Sequence, residues 1–188
     1  MRADGRQNRA ALVDAAWRLV TDKGPGVSMR SVAAEAGVGV ATLYRHFPTR
    51  DDLIVGVVAE MVDRVAAVIG AHADEWGSAA AAEGSWRAVA HGIAGLGLGA
   101  VAQQTVAVAP TDGKIWQATA GYRERLMDAY RDLLERAESF GLVSPGLTPW
   151  RFHLGLAAIS RPLPERVEEF APGQADWLVE TYLKGLRP

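Results

Sequence analysis

The sequence predicts an all-α fold. Apolar residues recur at helical spacing along most of the chain, no bounded run alternates with period two, and glycine or proline breaks the pattern at helix-length intervals. In "NRAALVDAAWRLVTDKG", Leu12, Ala15, Ala16, Leu19 and Val20 share one face, Gly24 stands at a C-cap position and Pro25 follows as a stop. Ser28 is placed to N-cap a short second helix over 29–36, with Val32 and Ala33 facing inward. Gly37 and Gly39 bracket a tight turn, residues 40–47 form a third helix, and Pro48 ends it. Thr49 caps a long fourth helix over 49–71, whose Asp51 and Asp52 complement the positive end of the helix dipole. Its inner stripe is Leu53, Ile54, Val57, Val58, Met61, Val65, Val68 and Ile69.

Further helices are expected over 83–108, 112–140, 149–160 and 173–186. The breaks between them are "DEWGSAAAAEG", Pro110, "SFGLVSPGLTP" and "RPLPERVEEFAPG". The glycines at 92, 95, 97 and 99 are dense for a helix, each costing up to about 1 kcal/mol relative to alanine. They either let helices approach closely or leave space for a ligand. "GLGLG" is no dinucleotide fingerprint, since the spacing and the preceding strand are both missing.

Composition excludes several classes. The 188 residues are 49% apolar, enough for a packed core, and contain no cysteine, which removes disulfide frameworks, zinc-cysteine sites and cysteine nucleophiles. Asp14 and Arg18 interrupt any secretory apolar run near the start. Gln103, Gln104 and Thr105 break the most membrane-like stretch. A cytoplasmic protein without membrane association is expected. The four histidines at 46, 72, 91 and 153 show no metalloprotease spacing, and no nucleophile elbow is present, so no catalytic residue, metal site or cofactor is expected.

The net charge of −2 hides a split. Residues 1–50 carry eight basic and four acidic side chains, a balance of +4, while residues 51–188 carry twelve and eighteen, a balance of −6. A basic head on an acidic body holds one end against a polyanion; four charges are also within reach of chance. The turn at Gly37-Val38-Gly39 sharpens the choice. A helix that enters the DNA major groove needs a partner helix close by at a steep angle, hence a short turn. Thr42, Tyr44, Arg45 and His46 then place a hydroxyl, a phenol, a guanidinium and an imidazole on two turns of helix, with Arg50 just beyond. Such groups bind phosphate oxygens, and burying them all would demand a partner for each.

At these residues the chain resembles a known family. "SMRSVAAEAGVGVATLYRHFPTRDDL" looks like the helix-turn-helix of the TetR/AcrR transcriptional regulators, and "ALVDAAWRLVTDKGPGVSMRSVA" is similar to the helix before it. The resemblance covers about residues 6–58. It implies a helix-turn-helix DNA-binding domain over 1–50, joined by a long helix to a helical-bundle effector-binding and dimerisation domain over 51–188. It further implies that Arg30, Thr42 and Tyr44 approach double-stranded DNA, and that His46 and Arg50 hold phosphates with Arg45 close by. Val40 and Ala41 occupy positions from which the family often reads bases; here any contact is apolar, as with thymine methyls. Helical spacing alone puts Val40 with Leu43 and Phe47 in the core, so its side is open.

The body offers candidates for an effector, which the family's second domain generally binds. Trp86, His91, Gln103, Gln104, Trp116, Tyr122 and His153 are the aromatic and isolated polar groups within apolar stretches. Taken singly, each is better accounted for as an ordinary core aromatic or a satisfied buried polar group. The last two helices carry more apolar surface than a small domain covers, so a homodimer is expected through Phe152, Leu156, Ile159, Leu178, Tyr182 and Leu186.

Overall fold

The computed structural model describes residues 2–23, 26–99, 113–161 and 165–188, and all regular structure among them is helical. Among the described residues the helices with both ends described follow in order: α1 (Arg2–Lys23), α2 (Met29–Glu35), α3 (Val40–His46), α4 (Arg50–Ala71), α5 (Ala79–Gly95), α6 (Lys114–Ala118), α7 (Ala120–Ser139), α8 (Pro149–Ile159), α9 (Glu165–Phe170) and α10 (Gln174–Gly185). The chain divides into two compact units. One holds the residues up to Met61 with the segment around Ile115; the other holds 62–99 and 121–188. α4 is a single helix that contributes to both.

The first unit is built on local signals. Leu12, Ala15, Ala16, Leu19 and Val20 of α1 are buried with Val32 and Ala33 of α2 and Leu43 of α3. The Ser28 hydroxyl accepts from the Ser31 amide at 3.0 Å, capping α2. Gly37 takes a φ of +67°, a conformation that strains any side chain, and lets the Val38 amide reach the Ala33 carbonyl at 3.0 Å. Thr49 and Asp52 close the start of α4 reciprocally. The Asp52 amide donates to the Thr49 hydroxyl at 3.1 Å, and the Thr49 amide to the Asp52 carboxylate at 2.9 Å. In the same unit Ile115 of α6 packs with Ile54.

The second unit packs α5, α8 and α10 together. Its centre is aromatic: Trp86 stacks on Phe152 with centroids 5.2 Å apart, and Tyr130 meets Phe152 edge-on at 5.4 Å. Two of the dense glycines serve close approach. A Cβ at Gly92 would lie 2.7 Å from Val68 of α4, and one at Gly99 would fall 2.2 Å from the Ala157 carbonyl of α8. α5 begins at Ala79, ahead of the expected 83, because the Ser78 hydroxyl caps it by accepting from the Ala81 amide. It ends at Gly95, and left-handed Gly97 follows; the remainder of the expected helix, with Pro110, lies outside the described residues, as do Gly24 and Pro25.

Two further departures concern where helices form. The expected helix over 112–140 is interrupted at Thr119, whose amide and hydroxyl both donate to the Ile115 carbonyl, at 2.9 Å and 2.7 Å. α9 forms inside a segment whose prolines read as a break.

Candidate nucleic-acid interface

The outer face of α2 and α3 gathers most of the expected polar groups. Leu43 is fully buried and Phe47 nearly so, which anchors one side of α3. Tyr44 is 47% exposed, Arg45 and Ala41 are exposed, and Thr42 and His46 are half-buried. Val40 is 38% exposed, so the register of α3 sets it outward rather than with Leu43 and Phe47. Arg30 on α2 is exposed as well. Among the described residues, Arg30, Tyr44 and His46 make no hydrogen bond or ion pair. Arg45 donates to the Thr42 hydroxyl at 3.0 Å, and Arg50 donates to the Val27 carbonyl, fixing the start of α4 to the segment before α2. Behind this face, Arg18 of α1 lies 3.6 Å from both Asp14 and Glu35, joining α1 to α2. The scaffold is thus tied internally, while three hydrogen-bonding heads are left open to an external acceptor.

Comparison with known proteins decides the family. Residues 12–57 match the family described as bacterial regulatory proteins, tetR family. An HTH-type transcriptional regulator of Staphylococcus aureus is 38% identical over 64 residues, covering 34% of this chain and 35% of its own. The chain therefore spans about a third of the length of the curated relatives it matches. A TetR transcriptional regulator of Streptomyces coelicolor superimposes with a TM-score of 0.60 at 27% identity, over 96% of this chain and 98% of that one. The head of the chain, residues 12–57, is of the TetR family. The LfrR regulator of Mycobacterium smegmatis, solved with proflavine, shares the fold at a TM-score of 0.67 and 23% identity, over 96% and 95% of the two chains.

Outside that head, the body candidates fall in separate environments. Trp86 is 1% exposed within the aromatic centre. His153 is 6% exposed and its Nδ1 lies 3.3 Å from the Tyr130 hydroxyl, with which it shares a hydrogen bond. Burial pushes His153 down to about 4 and raises the Tyr130 phenol. His91 is engaged elsewhere: Nε2 is 2.7 Å from Glu180 and Nδ1 is 3.3 Å from Asp176, and Arg87 joins Glu180 at 2.8 Å. The hydrogen bond from His91 lowers the Glu180 carboxyl, with Arg87 adding to it. Trp116 and Tyr122 are half-buried, and Trp116 belongs to the first unit. Gln103 and Gln104 lie outside the described residues.

A cleft of about 250 Å³ opens in the second unit against none of these candidates. Its walls include Ile69, Gly70 and Ala73 near the end of α4, Trp76, and Leu133 and Arg136 of α7. Arg136 lies over the Trp76 ring at 5.6 Å and donates to the Ala73 carbonyl at 2.7 Å. These partners are some sixty residues apart in sequence, and Trp76 sits in a segment that reads only as a helix boundary.

The expected dimer residues also divide. Phe152 and Leu156 are both 0% exposed within the single chain, buried against their own helices' neighbours, and so offer no surface to a second copy. Ile159, Leu178, Tyr182 and Leu186 are half-exposed. The outward apolar side chains on α8 and α10 are instead Trp150 at 41%, Leu154 at 51% and Trp177 at 60%. Among the described residues no group of three or more metal-ligating side chains occurs, and no helix is long and apolar enough to cross a membrane.

Proposed function

We propose that the chain is a sequence-specific DNA-binding transcriptional regulator, acting as a homodimeric repressor that a small hydrophobic effector releases from a palindromic operator. The observation that carries the DNA-binding half is the open set Arg30, Tyr44 and His46 on an otherwise internally tied two-helix scaffold. In this reading α3 enters the major groove. His46, Tyr44 and Arg30 bind phosphates, with Arg45 and Arg50 beside them, while Val40 and Ala41 touch thymine methyls and Thr42 a base edge or sugar. Two copies pair through Trp150, Leu154 and Trp177 with the half-exposed residues around them, and a two-fold axis sets half-sites about 34–36 Å apart or a multiple of it.

The effector acts on the body of residues 51–188, with Trp86, His91, Gln103, Gln104, Trp116, Tyr122 and His153 as candidate contacts. α4, shared by the two units, carries the change to the heads. Such coupling is reciprocal: operator weakens effector binding by the factor by which effector weakens operator binding. A specific observation favours a second reading, regulation without an effector. Trp86 and His153 sit in an aromatic centre with Phe152 and Tyr130, and the cleft beside Trp76 and Arg136 is lined by none of the candidate residues.

Selection of bound duplexes from random DNA by the intact chain tests the proposal. A palindromic consensus, two copies per duplex by sedimentation, and loss of binding in Tyr44→Ala and His46→Ala at unchanged melting temperature are expected. Sequence-blind binding, or wild-type retention in both variants, would sink it. Thermal-shift screening of hydrophobic small molecules with and without that duplex separates the two readings.

A further inference from the structure

α1 runs past the core it helps to build, and its first turns change character on one face. At helical spacing Arg6 and Arg9 lie in line with Val13, Ala16 and Val20. Val13, Ala16 and Val20 are 2–7% exposed and form the inner face of the helix. Arg6 and Arg9 are exposed on that same side, so the inner face overhangs the core with guanidinium groups. The overhang is located by one contact: the Arg9 Cζ sits 5.1 Å above the ring of Phe47, the residue directly after His46. Arg9 therefore lies beside the end of α3 that carries Tyr44, Arg45 and His46. Arg6, one turn further out, has no hydrogen bond, ion pair or ring contact among the described residues.

An exposed apolar or neutral overhang would need no explanation. An overhang with two arginines on the core-facing side, the inner one held at the phosphate-binding end of α3, has a definite complement. It fits a polyanion that continues beyond the helix-turn-helix. We infer that Arg6 and Arg9 extend the DNA contact along the phosphate backbone flanking the groove occupied by α3, so that α1 supplies affinity without reading bases. This rests on the proposed DNA binding and adds a second element to it. Phosphate contacts position a protein and raise its salt dependence, while sequence preference is set elsewhere.

The test is a salt titration of binding to the selected duplex, by fluorescence anisotropy, for wild type, Arg6→Ala and Arg9→Ala. Each variant is expected to weaken binding about 5- to 10-fold and by the same factor on preferred and mismatched duplexes. Each is also expected to flatten the plot of log affinity against log salt by about 1 per bound copy of the chain. Arg9 packs on Phe47, so a loss confined to Arg9→Ala and accompanied by a lower melting temperature means packing and overturns the inference. Arg6 touches nothing in the head, and unchanged affinity and slope in Arg6→Ala overturn it outright. If the variants match wild type while wild type binds its duplex, only this inference falls. If wild type binds no duplex, both fall.

Discussion

The two units treat their polar side chains in opposite ways. On the head, the side chains of Arg30, Tyr44 and His46 have no partner among the described residues. In the body, His91 has a carboxylate at each ring nitrogen, His153 meets Tyr130 in the interior, and Arg136 is tied to the Ala73 carbonyl. Polar groups satisfied internally stabilise or specify a fold. Open ones contribute nothing to folding and are available to another molecule. The contrast separates residues that hold the protein together from residues that meet its partner, even though both sets contain histidine and arginine.

The sharpest way to break this contrast is Trp86→Ala. If Trp86 is core, the substitution costs about 3–5 kcal/mol in chemical denaturation. A cost below about 1 kcal/mol would mean that it lines a loose space open to a ligand. Next comes acidification. His153 is lowered to about 4 in the folded chain from an ordinary 6.5, so between those values the unfolded state binds the extra proton. Stability should therefore fall as pH drops from about 6.5 to 4, by up to roughly 3 kcal/mol, and level off below. His153→Phe should flatten that dependence in melts run across the range. On the head, Tyr44→Ala and His46→Ala should change stability by less than about 0.5 kcal/mol while weakening DNA binding about 10- to 100-fold. The smallest effect is expected from His91→Ala: a part-exposed ion cluster contributes within about 1 kcal/mol, readable only by a careful denaturant series. A larger loss would make the α5–α10 clasp structural rather than incidental.

The head was legible in the sequence because its signals are local. The Ser28 cap, the left-handed turn at Gly37 and the burial of Leu43 each depend on residues within a few positions. Val40 was the exception: helical spacing allows it either side, and only the tilt of α3 against its neighbours turns it outward. The body was less legible for the converse reason. α5 stops where Gly97 turns left-handed, and α6 and α7 part at Thr119. Apolar periodicity registers neither event. The Trp76–Arg136 cleft needs two distant segments to meet, so no window of sequence contains it. Phe152 and Leu156 have the right type for an interface; which way they face depends on how α8 rolls against α5 and α10.

The hydrogen bond from Arg45 to Thr42 has a consequence of its own. An arginine left loose samples many rotamers, and immobilising it opposes association by up to roughly 2 kcal/mol. Here the hydroxyl one turn back has already narrowed that sampling before any duplex arrives. A valine at that position would keep the shape of Thr42 and release the tether. In the proposed complex the guanidinium would then meet the duplex from a broader ensemble, and complexes are expected to form as readily but dissociate sooner.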